Sequence, residues 1–107
     1  LSAGSKRARH PRACTYRKSF TKDRARLDRS DRYDMRLLKS VILLLIANDG
    51  PLGPEWKDHP LKGDWSDFRE CHVGGDFLLI YQVDDAAGKS GTVDFVRAGT
   101  HSELFNE

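Results

Sequence analysis

The unbroken run Phe77-Leu78-Leu79-Ile80-Tyr81 constrains this 107-residue chain more tightly than any other feature. Side chains on a strand alternate between the two faces of a sheet, so a continuous apolar run needs cover on both sides. The run therefore reads as the central strand of a sheet. Strands are expected on either side of it in sequence: residues 66–73 and 76–83 joined at Gly74-Gly75, a polar turn over 84–91, then the alternating Thr92-Val93-Asp94-Phe95-Val96.

Helices to cover that sheet lie upstream. Leu37, Leu38, Val41, Ile42, Leu45 and Ile46 recur at steps of three and four, which puts them on one helical face. Ser30 or Asp31 is placed to cap this helix, with Asp31 and Asp34 in its first turn. Asn48-Asp49-Gly50-Pro51 ends it, with Gly50 as the expected left-handed cap. Residues 18–29 read as a second, mostly solvated helix anchored by Phe20 and Leu27, and Ala13-Cys14-Thr15-Tyr16 as a short first strand. Residues 51–63 form a loop, and 102–105 one helical turn. The order is strand, helix, helix, three-strand meander: a single α+β domain over residues 12–107 with its helices on one face of the sheet. Residues 1–11 read as a disordered basic arm.

Composition narrows the function. The first forty residues carry 13 Lys and Arg against 4 Asp, and the remainder 5 against 12. A basic half on a small domain points to a polyanion such as nucleic acid or a ribosome. No apolar run approaches the length of a membrane span, and the basic N-terminus has no apolar segment of a secretory signal. Cys14 and Cys71 lack metal-like spacing and are expected as reduced thiols, which fits a cytoplasmic protein.

Three histidines then stand out, each beside Gly or Pro in a punctuated segment: His59, His72 and His101. Imidazole is the side chain most readily tuned to move protons near neutral pH. A three-residue hairpin loop ending at Gly75 would set His72 directly opposite Asp76 on one face; a two-residue loop at Gly74-Gly75 would separate them. The first is the expected register. His101 follows the last strand, at the end that returns toward Asp76. A metal is not expected: there is no close ligand pair, and Lys57, Lys62 and Arg69 would oppose a cation.

These same segments carry a resemblance. The stretches Trp56-Lys57-Asp58-His59-Pro60-Leu61-Lys62-Gly63-Asp64-Trp65, Phe68-Arg69-Glu70-Cys71-His72-Val73 and Arg97-Ala98-Gly99-Thr100-His101-Ser102-Glu103-Leu104-Phe105 resemble YafQ-type toxins of the RelE superfamily over residues 13–105. The resemblance implies a RelE-like fold and the toxin of a type II toxin-antitoxin system: a ribosome-dependent endoribonuclease that cuts mRNA in the A site without a cofactor. It implies a cognate antitoxin, which would also carry the complex to operator DNA, and the 70S ribosome with its mRNA as partners. By matching position, the active-site residues fall on His59, His72, Asp76, His101 and Phe105.

Metal-free RNA cleavage must take a proton from the 2′-OH, give one to the leaving 5′-oxygen and stabilise charge on phosphorus. His101 and His72 are expected to share the proton transfers. Asp76 would orient a histidine or act as base, Phe105 would stack a base, and His59, Arg97 and Lys57 would contact phosphate. A rival reading is a non-catalytic RNA- or ribosome-binding protein that uses only the basic half; a weaker one is a pure protein-interaction domain.

Overall fold

In the computed structural model, residues 10–86 and 91–105 are described. They form β1 (Ala13–Tyr16), α1 (Lys18–Ser30), α2 (Met35–Ala47), β2 (His59–Pro60), β3 (Arg69–Gly74), β4 (Phe77–Asp84), β5 (Thr92–Thr100) and α3 (His101–Phe105). The sheet order is β1-β5-β4-β3-β2. β1 pairs in parallel with β5, and every other pairing is antiparallel. The expected α+β order is present. The arm expected over residues 1–11 falls largely outside the described residues, as does part of the polar turn expected at 84–91.

The apolar run lies in the central strand and is buried throughout. Phe77, Leu79 and Tyr81 point toward the helices, where they join Phe20, Leu27, Leu38, Val41, Leu45, Cys71, Val93 and Phe95 in the main core. Leu78 and Ile80 point the other way. They pack with Val96 and Leu104 in a smaller core, edged by Leu61, Trp65, Phe68 and Phe105. Both major helices cover one face; the loop after β2 and the short α3 cover part of the other.

Helix boundaries differ from expectation in a consistent way. Asp34, rather than Ser30 or Asp31, caps α2: its side chain accepts from the Arg36 and Leu37 N–H groups at 3.0 and 3.3 Å. Asp31 instead ends α1 in the left-handed region at φ 57°, and Asn48 does the same for α2, where Gly50 was expected. Asp and Asn tolerate that conformation because their short polar side chains can bond locally. The strand expected from residue 66 starts at Arg69 instead. The Ser66 and Phe68 N–H groups are taken by the Gly63 and Trp65 carbonyls in a tight turn, so they cannot join a ladder. β5, conversely, runs on to Thr100.

Arginines of the basic half clasp carboxylates of the acidic half. Arg12 pairs with Asp85, Arg17 with Asp94 and Arg26 with Glu103, at 2.6–2.8 Å. Lys18, Lys22, Arg24 and Arg29 of α1 are exposed and have no carboxylate partner among the described residues. Both cysteines are free thiols, Cys71 buried and Cys14 exposed. Among the described residues no helix is long and apolar enough to cross a membrane.

Candidate active site

The site is built on the sheet face away from α1 and α2. On β3, Cys71 and Val73 enter the main core, so alternation sends Glu70 and His72 to the opposite face. β2 adds one further residue there, because His59 pairs directly with Glu70. The His59 and His72 ring centroids are 6.1 Å apart. α3 closes the other wall, with the His101 ring 4.9 Å from that of Phe105, which meets Trp65 edge-on at 5.7 Å. His59, Pro60, Leu61, Lys62, Glu70, His101 and Phe105 line a cleft of about 340 Å³.

His59 is held from two sides. Its Nδ1–H donates to the Lys57 carbonyl at 2.8 Å, and its Nε2 lies 3.0 Å from Glu70 Oε2. The ring is thus anchored to its own loop on one side and set against the carboxylate of β3 on the other. The Glu70 side chain is only 7% exposed, and its second oxygen, Oε1, is buried without a hydrogen-bond partner. A buried polar atom left in this state is costly, and such atoms mark functional sites.

The hairpin corrects the expected His72–Asp76 pairing. His72 stands opposite Leu78, a bulge at Val73 follows, and Gly74 pairs with Phe77. Gly75-Asp76 form the turn, with Gly75 at φ 54°. The apolar residues decide this register: Cys71 lies against Leu79 inside the core, and burial of that face outweighs one polar contact. His72 Nδ1–H faces the Gly75 carbonyl at 3.4 Å instead. Asp76 Oδ1 accepts the His101 N–H at 3.3 Å, so Asp76 fixes the start of α3. Phe77 pairs with Thr100, which brings the end of β5 to this turn, as the strand order implied.

Two expected phosphate contacts are not brought into the cleft. Arg97 is bound by Asp23 of α1, with Nε–Oδ2 2.6 Å and Nη2–Oδ1 3.2 Å. The same carboxylate accepts the Ala98 N–H at 3.0 Å, which fixes it against this stretch of β5. Lys57 is an exposed left-handed residue at φ 48° that contributes its carbonyl. Lys62 lines the cleft in its place. Sequence reasoning passed over Glu70, although its i, i+2 spacing from His72 on a strand was the signal that the two share a face.

The sequence profile described as "Bacterial toxin of type II toxin-antitoxin system, YafQ" matches residues 12–106. This chain belongs to the YafQ family. The mRNA interferase toxin YafQ of Escherichia coli K12 is 40% identical over 90 residues, covering 84% of this chain and 91% of that protein. The E. coli DinJ–YafQ complex superposes its toxin with a TM-score of 0.73 at 38% identity, over 88% of this chain and 98% of that one. A copper-bound mutant toxin from Helicobacter pylori reaches 0.73 at 40% identity, over 87% and 98%. The mixed α+β fold is thus shared along nearly the whole YafQ domain.

His59, Glu70 and His72 also offer three donor atoms within 4.8 Å of one another. Two imidazoles and a carboxylate suit a divalent transition ion in chemistry and number. Arg69, expected to oppose a cation here, is bound to Asp58.

Proposed function

We propose that this YafQ-family toxin is an endoribonuclease that cuts mRNA in the A site of the 70S ribosome by acid–base chemistry. The observation that carries the reading is the His59 imidazole set 3.0 Å from the carboxylate of buried Glu70, at the wall of a cleft that His101 also lines. The 2′-oxygen of the substrate attacks phosphorus as its proton leaves. The P–O5′ bond then breaks as the 5′-oxygen gains one, leaving a 2′,3′-cyclic phosphate and a 5′-hydroxyl. His101 exchanges a proton with one reacting oxygen and the Glu70–His59 pair with the other. His72 contributes an imidazole beside His59, Lys62 meets phosphate charge, Asp76 holds His101 in place, and Phe105 supplies an aromatic face for a base.

The unpaired cations of α1 support docking on ribosomal RNA, where charge neutralisation dominates affinity. The partner that silences the toxin would be an antitoxin, as DinJ is for the E. coli relative; the complex would reach operator DNA through that partner. The test is primer extension on mRNA with purified toxin, with and without ribosomes. Cuts at defined codon positions that need ribosomes and vanish in His101→Ala support the reading. Cuts retained by His101→Ala sink it, and salt-sensitive ribosome binding without any cut selects the non-catalytic alternative.

One observation favours a second property of the same residues. The donor set His59, Glu70 and His72 fits the ion named for the H. pylori toxin. A bound copper or zinc ion there would occupy the nitrogens needed for proton transfer. Added copper should therefore inhibit cleavage and a chelator restore it.

A further inference from the structure

β2, which carries His59, has little to hold it. It is a two-residue edge strand, and one of its two residues is Pro60, which has no N–H to give. The pairing with β3 is confined to His59 with Glu70 and Pro60 with Arg69. Catalytic geometry on such a strand needs a second anchor, and the structure has one on the reverse side of the sheet.

Asp58 precedes His59, so strand alternation turns its carboxylate to the opposite face. There Oδ2 accepts from Arg69 Nε at 3.1 Å and Nη2 at 2.8 Å, while Oδ1 accepts from the Tyr81 hydroxyl. Arg69 and Tyr81 are themselves cross-strand partners on β3 and β4. Tyr81 is only 2% exposed and sits in the main core. The carboxylate is thus bonded at once to β3 and β4. Lys57 takes the left-handed conformation just before it, and its carbonyl orients the His59 ring. The turn lets one residue lock into the sheet while the next faces the cleft.

We propose that Asp58, Arg69 and Tyr81 form a clamp that positions His59 for proton transfer. They are positioning residues: none of them lines the cleft. The consequence rests on the nuclease reading, but the clamp itself can be tested without it. A displacement of about 1 Å at a reacting group can cost on the order of 100-fold in rate. Releasing Asp58 should therefore slow cleavage without weakening ribosome binding.

Two variants and two readouts test this on the full chain. Tyr81→Phe removes one hydroxyl from a buried ring and keeps its shape; Asp58→Ala releases the clamp. In single-turnover cleavage on programmed ribosomes, Asp58→Ala should lose about 100-fold and Tyr81→Phe several-fold, with ribosome affinity unchanged. Adding His59→Ala to Asp58→Ala should cost little more than His59→Ala alone, because both act through one group. Independently of any cleavage, the ¹⁵N resonances of the His59 ring should shift in both variants while those of His101 stay in place. The clamp is overturned if folded Tyr81→Phe leaves the His59 resonances unchanged. It is equally overturned if the losses from Asp58→Ala and His59→Ala multiply. Toxin that never cleaves yet shows the His59 shifts would sink the nuclease reading and keep the clamp.

Discussion

The two faces of the sheet are packed differently. On the helix side Cys71, Leu79, Tyr81 and Phe95 are buried in a continuous apolar core, and the charge that enters it is answered. Asp23 there accepts from Arg97, Arg26 and the Ala98 N–H. On the other side the core is small, and beside it sits a cluster of three histidines with a buried carboxylate whose Oε1 lacks a partner. β3 serves both faces by alternation, sending Cys71 one way and Glu70 and His72 the other. The packed core and the candidate site are thus separated by a strand's period of two.

The separation can be broken most strongly from the cleft side. Replacing His101 by Ala should lower single-turnover cleavage by about 10²–10⁴-fold, the usual worth of a general acid or base. Its melting temperature should stay near that of the parent. A core variant should do the opposite. Leu79→Ala leaves a cavity beneath the helices and should cost about 3 kcal/mol in urea unfolding, while the folded fraction cleaves at the parental rate.

Alkaline pH sharpens the contrast from the core side. Burial pushes the Cys71 thiol and the Tyr81 hydroxyl above their ordinary values of 9.0 and 10.0, and the Asp58 bond adds to the shift at Tyr81. The native state then keeps protons that the unfolded chain gives up. Stability is full below about pH 9 and falls above it, by up to about 1.4 kcal/mol per pH unit for each group. Urea midpoints of Cys71→Ala and Tyr81→Phe should lose part of that slope. The smallest effect is local: Asp34→Ala removes the α2 cap and should cost about 1 kcal/mol with cleavage of the folded protein unaffected.

Much of this division was legible from the chain. The five-residue apolar run announced a strand buried on both faces, and the leucine spacing announced α2. Alternation along residues 69–73 already put Glu70 beside His72. Other parts were hidden for physical reasons. β2 is two residues with a proline and leaves no pattern. The hairpin register depends on a bulge at Val73, which no residue there demands, so the three-residue loop gives His72 the wrong partner. Arg97 read as a free cation because its Asp23 lies seventy-four positions earlier, on a helix.

Glu70→Gln tests most directly the proposed part of Glu70 in proton transfer, for which its partnerless Oε1 gives no return in stability. A glutamine amide keeps the size of the side chain and can donate to a neutral His59 Nε2, but it cannot take up a proton as a carboxylate can. Cleavage rate on programmed ribosomes and melting temperature should be measured on the same preparation. A loss of at least about 100-fold in rate is expected, with a melting temperature equal to or above the parent's. Undiminished cleavage, or a loss that merely follows unfolding, would contradict it.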